Sequence, residues 1–285
     1  MTGSGKGRAA RAMLLACLLF ASPLAVLAPA RAACPPVMGP PRAVTQIVDA
    51  ATLALDDGST LRLAGILIAT PRDATGVTGP WQPATDAANA LRSHLSGATI
   101  RPAAAATAPD RYGQLRTLAV ASRNGAEIWL QGALVAEGHA RVAPLPGETE
   151  CIPELLARES VARATMKGLW QNPAYAIRNA SHTRRLTELI GTFQIVEGRV
   201  TAAGETRQRL YLNFGDNWRW DFTAAVPLSG AVERAALVAK LKSLTGHRIR
   251  VRGWLIRRNG PYIELASPAV IENIPDGDAG GAAAQ

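Results

Sequence analysis

Beyond residue 32, this 285-residue chain has no apolar run approaching the ~20 residues that a membrane-crossing helix needs. The body of the chain is therefore expected to be soluble. Cysteine is scarce, with three residues at 17, 34 and 151. None has a metal-type neighbour, which argues against a metal or catalytic role for the thiols. His94, His139 and His182 stand apart from cysteine and from one another, so the spacing of a zinc site is missing. Acid is also in deficit: 22 Asp and Glu face 31 Lys and Arg, for a net charge of +9.

Residues 1–32 account for much of that excess. Lys6, Arg8 and Arg11 form a basic start, Met13 to Ala28 is apolar, and Ala30-Arg31-Ala32 has the small-x-small form of a cleavage site. The segment is expected to be a signal peptide removed near Ala32, which places the mature protein in the periplasm or outside the cell. Its four basic residues and no acids leave with it, so +9 falls by four to +5. Such a charge permits contact with nucleic acid or another polyanion without requiring it. Cys17 leaves too, and the remaining pair, Cys34 and Cys151, is expected to form a disulfide in an oxidising compartment.

The informative stretch runs from Asp49 to Pro71. Leu53 and Leu55 alternate with Thr52 and Ala54, as in a half-buried strand. Asp56-Asp57-Gly58 supplies a hairpin turn. Leu61-Arg62-Leu63 resumes the alternation with Arg62 on the opposite face. Strands are expected at 43–48, 99–105 and 118–122. Helices are expected at 85–95, 128–137 and 153–167. After a connecting segment at 172–191, the pattern repeats. Strands are expected at 192–201, 209–214 and 220–226, then a helix at 232–244, then strands at 247–257 and 262–265. Three strands, a helix and two strands is the order of an OB barrel. The fold class is mainly β with helices (α+β), with two OB-type five-stranded barrels. The expected divisions are a signal at 1–32, a first OB domain at 33–171, a linker at 172–191, a second OB domain at 192–274 and a disordered tail at 275–285.

Several motifs in order resemble the thermonuclease (staphylococcal-nuclease-like) family. They are Asp49-Ala50-Ala51-Thr52, Arg62-Leu63-Ala64-Gly65-Ile66, Asp110-Arg111-Tyr112-Gly113, Leu134 to Val142 and Gly168-Leu169-Trp170. The second half resembles the C-terminal extension of some secreted bacterial members. The resemblance implies a barrel in which two aspartates and a carbonyl hold Ca²⁺, a glutamate activates water and two arginines hold the phosphate. Here the aspartate positions carry Ala51 and Leu67, the glutamate position Thr70 (or Pro71 or Asp73 if the loop shifts), the second arginine position Gln114, and two nucleotide-packing aromatics become Pro144 and Pro146. Only Arg62 matches. Arg116 and Asp73 are possible substitutes, and Asp49 is the one residual candidate metal ligand. No cofactor is expected, with Ca²⁺ entering only if the site is rearranged.

A binding protein on a degenerate nuclease fold is therefore expected. The alternatives are an active phosphodiesterase with rearranged acids and an envelope or saccharide-binding module. Arg111 and Tyr112, together with Arg248, Arg250, Arg252 and Trp254 on one alternating strand, are the candidate contacts to single-stranded nucleic acid. Trp218, Trp220 and Tyr262 are further stacking candidates. Set against that, the tryptophans could form core and the arginines a solvated face.

Overall fold

The computed structural model describes residues 1–3, 34–35, 38–73, 79–104 and 109–275. The expected signal segment and disordered tail lie almost entirely outside the described residues, as does the loop at 74–78. The described part of Ala33–Gln285 forms one compact unit. None of its helices is long and apolar enough to cross a membrane.

The first half opens with β1 (Val44–Asp49), β2 (Thr52–Leu55), β3 (Thr60–Leu63) and β4 (Ile66–Ile68). These lead to α1 (Gln82–Leu95), β5 (Thr99–Pro102), β6 (Gln114–Thr117), β7 (Ala119–Arg123) and β8 (Ala126–Trp129). They are followed by α2 (Leu130–Ala136), β9 (Ala140–Val142) and α3 (Ile152–Ala164). The alternation seen in the hairpin is realised: Leu53, Leu55, Leu61 and Leu63 are buried, and Arg62 lies on the other face. Each such leucine contributes about 1.5–3 kcal/mol by leaving water. The order β1-β2-β3-β6 continues through β7, which follows β6 after a single residue and pairs with β5. Isolated bridges from Met38 to Ala103 and from Arg42 to Ile100 then return toward the start. That is the OB strand order, with α1 in its usual place between the third and fourth strands of the barrel.

Several boundaries differ from the sequence reading: α1 begins at Gln82 rather than 85, and the strand expected at 220–226 begins only at Thr223. Residues 126–129 form a strand before α2, because Ile128 and Trp129 pair with β7. The strand expected at 118–122 is β7, and a further strand, β6, precedes it from Gln114 because residues 114–117 pair in parallel with β3.

After 3-10 turns at 168–175 come β10 (Arg178–Asn179) and α4 (Thr183–Glu188). The second half then comprises β11 (Phe193–Arg199), β12 (Ala202–Glu205), β13 (Arg209–Asn213), β14 (Thr223–Pro227), α5 (Arg234–Lys242), β15 (Arg248–Arg258), β16 (Gly260–Glu264) and β17 (Glu272–Ile274). Its order, β11-β15-β16-β14-β13-β12, has a parallel β14–β16 step and antiparallel neighbours elsewhere. Since β11 and β12 are consecutive parts of one bent strand, this too is OB-like. The ladders of the described residues form separate open sheets rather than closed barrels.

The two halves share one apolar core and a buried ionic seam. From the first half, Arg141 on β9 donates to the Phe193 carbonyl at 3.0 Å and to Asp73 at 2.9 Å. From the second, Arg252 on β15 donates to the Val142 carbonyl at 3.2 Å and to Glu159 on α3 at 2.6 Å. Cys34 and Cys151 form the expected disulfide, with Cα atoms 5.7 Å apart.

Candidate nuclease-type site

Register places the two arginines of the first half together. In the parallel β3–β6 ladder, Arg62 lies directly opposite Arg116, and on its other side Arg62 pairs with Thr52 of β2. Like charges directly opposite each other on neighbouring strands are unfavourable. The surrounding acceptors offset this. The Arg62 Nη1 donates to Thr52 Oγ1 at 2.9 Å and, at the longer distance of 3.5 Å, to Asp49 Oδ2. The Arg116 Nε donates to Glu148 Oε1 at 2.8 Å.

Glu148 is the residue that the sequence reading missed. It sits in the loop after β9, and its Oε2 accepts from the backbone N–H of Gly65 and of Leu145, both at 2.9 Å. No motif pointed to it, because Arg116 and Gly65 lie 32 and 83 residues away in the chain. The only local signal was an acid just beyond Pro144-Leu145-Pro146-Gly147.

The other expected residues are placed as follows. Asp49 turns its Oδ1 to the N–H of Ala51 at 2.7 Å, an Asx turn that closes the β1–β2 hairpin. Asp110 closes the turn before β6. Its carboxylate accepts from the N–H groups of Tyr112 and Gln114, and these bonds, led by that from Gln114, hold it below the usual aspartate value. Arg111 stacks over the exposed Tyr112 ring, 4.8 Å from its centre, on the turn before β6. Asp73 is buried away from the arginine pair. It is bound by Arg141, by the Tyr175 hydroxyl at 3.1 Å and by the N–H of Thr70 at 2.8 Å. Burial, followed by smaller effects that include the charge of Asp73, pushes the Tyr175 hydroxyl well above the ordinary tyrosine value.

The family's calcium set does not fit this pocket. Ala51 and Leu67 have no side-chain oxygen to offer a hard cation. Among the described residues, no three His, Cys, Asp or Glu side chains come close enough together to hold a metal.

On β15 the sequence reading is inverted. Arg248, Arg250 and Arg252 share the face opposite the core residues Ile249 and Val251, but glutamates cover it: Arg252 is buried and Arg248 and Arg250 are partly buried. Arg248 and Arg250 donate to Glu197 on β11, both at 2.6 Å. Arg252, only 2% exposed, joins Glu159 and Glu272. Arg163 on α3 bonds the same two glutamates at 2.6 Å. Burial opposes the charge on Glu272, yet the arginines Arg252, Arg163 and Arg250 outweigh it and hold the carboxyl below its usual value. For Arg252, burial likewise opposes the charge, and Glu159 and Glu272 outweigh it. The tryptophans, for their part, lie outside: Trp218 is 52%, Trp220 67% and Trp254 53% exposed.

No curated protein matches the chain. Residues 60–172 match the family model described as staphylococcal nuclease homologue. That span runs from β3 through Arg62, Arg116 and Glu148 to the turn after α3, and over it the chain carries a domain of the staphylococcal nuclease family.

Proposed function

We propose that this is an exported relative of the thermonucleases that grips nucleic acid or another polyanion without cutting it. The observation that carries the reading is the pairing of Arg62 with Arg116 across one ladder, beside metal positions filled by Ala51 and Leu67. Two guanidiniums carried at paired positions of adjacent strands can each offer N–H donors to a phosphodiester. With Ala51 and Leu67 at the two aspartate positions, the same pocket lacks the ligand set by which the family holds its ion and activates water. Glu148 occupies one side of this grip as an internal anion that a phosphate would displace. The disulfide and the leader-like first 32 residues support export.

The test uses the disulfide-intact chain with labelled single-stranded DNA and Ca²⁺. Binding that weakens steeply with salt, with no cleavage, and that is lost in the Arg62→Ala/Arg116→Ala double variant, supports the proposal. Calcium-dependent cleavage abolished by Arg62→Ala overturns it in favour of a rearranged nuclease. Glu148 is the observation that favours this second reading, since it is a carboxylate held by backbone and guanidinium donors beside the arginine pair.

A further inference from the structure

The outer face of the second half has a feature that the nuclease-type pocket does not use. Along β13, Leu210 and Leu212 enter the core, so Tyr211 and Asn213 lie on the opposite face. Register sets Asn213 beside Thr223 of β14, and Thr223 beside Tyr262 of β16. With Trp218 and Arg258 these residues line a cavity of about 330 Å³, floored in part by Gly204. That volume is near the lower end for small-ligand sites.

The loop carrying Trp218 is built rather than loose. Asp221 accepts from the Asn217 N–H at 2.9 Å, and the Asn217 carbonyl accepts from the N–H groups of Trp220 and Asp221. The Phe214 N–H donates to the Phe222 carbonyl at 3.1 Å and closes the loop. A Cβ on Gly260 would stand 2.5 Å from the carbonyl oxygens of Trp220 and Asp221, so glycine is what allows this loop to rest on the β15–β16 turn. Two tryptophans more than half exposed on a braced loop make up apolar surface that folding alone does not explain.

Charge selects the ligand. Arg219 lies 4.8 Å over the Trp218 ring and Arg258 5.4 Å over the Tyr262 ring. Neither has a carboxylate partner among the described residues. The nearby acids are otherwise engaged: Glu264 pairs with Arg209, and Asp221 closes its own loop. Of the acids on this loop, only Asp216 is without such a bond among the described residues. The Tyr262 ring is itself buried, so Trp218 is the open face here, and an exposed aromatic face beside guanidiniums free of carboxylates suits a planar base attached to a phosphate.

We propose that this face is a base-stacking subsite for single-stranded nucleic acid, with a base against the exposed Trp218 ring and the adjoining phosphate on Arg258. It shares its class of ligand with the reading above, but not its site. The test titrates the full chain with fluorescein-labelled oligothymidylate and reads anisotropy together with tryptophan emission. Trp218→Ala should weaken binding about tenfold and remove most of the quenching. Arg258→Ala should also weaken binding, and Arg62→Ala should leave the quenching in place. Both substituted side chains on this face are exposed, so unchanged melting curves would confirm folding. Unchanged affinity in both Trp218→Ala and Arg258→Ala overturns the proposal, even if Arg62→Ala abolishes binding and so upholds the other site. Failure of the oligonucleotide to bind, or quenching by a neutral oligosaccharide in its place, overturns it equally.

Discussion

Replacing Arg252 by methionine is the sharpest test of what joins the two halves. The side chain is buried and compensates two carboxylates, Glu159 at 2.6 Å and Glu272. Removing one partner of a buried pair costs about 3–5 kcal/mol, because the remaining charge has no water to turn to. Here the lower end applies. Arg163 stays within 2.6 Å of both glutamates, and the Val142 N–H still donates to Glu159 at 2.8 Å. A loss of about 3 kcal/mol in a chain of this size lowers Tm by roughly 6–12 °C. The assay is thermal and urea unfolding of the disulfide-intact protein, followed by tryptophan emission. Adding Glu159→Gln should recover part of the loss, since it removes the uncompensated charge and keeps an acceptor for the Val142 N–H. A single variant that melts within about 2 °C of the parent, well short of that shift, would refute the idea that this cluster holds α3 to β15.

Three further outcomes are expected. Because the folded-state value of Glu272 lies below the ordinary 4.5, its contribution is present above that pH and is lost as pH falls through the folded value; melting temperatures from pH 7 down to pH 3 should therefore drop below about pH 4.5, and less steeply in Glu272→Gln. Breaking the Cys34–Cys151 bond, which spans 117 residues, should cost about 2–5 kcal/mol, read as a lower urea midpoint for Cys34→Ser/Cys151→Ser. Glu148→Gln removes the anion on Arg116 while keeping an oxygen for the Gly65 N–H, so affinity for single-stranded DNA at fixed salt should rise several-fold; an unchanged affinity would count against phosphate displacing Glu148.

The parts of the fold that were legible in the sequence were those written in short-range pattern. Alternation around Asp56-Asp57-Gly58 located the hairpin, and Arg62 emerged on the expected face. Two strand–helix–strand runs gave two OB-like halves with α1 and α5 in equivalent places. What failed was long-range. Glu148 reads as an ordinary loop acid until β9 returns beside β4 and carries the following loop back to Gly65. Asp73 reads as a substitute catalytic acid because it follows the lost glutamate position, yet a cation 68 residues later claims it.

The run from Arg248 to Gly253 on β15 shows why alternation alone misleads. A period of two says which side chains share a face, and says nothing of which face meets water. Arginine is ordinarily exposed and tryptophan ordinarily buried, so composition favours an outward basic stripe. Both preferences reverse here because β15 is packed against α3 and β11, whose Glu159 and Glu197 are buried. A buried glutamate requires a partner, and the strand register delivers one at every second residue: Arg248 and Arg250 to Glu197, Arg252 to Glu159. The basic surface that remains for a ligand is therefore set by the arginines left without carboxylates, and on the second half those include Arg219 and Arg258 beside the exposed tryptophan loop.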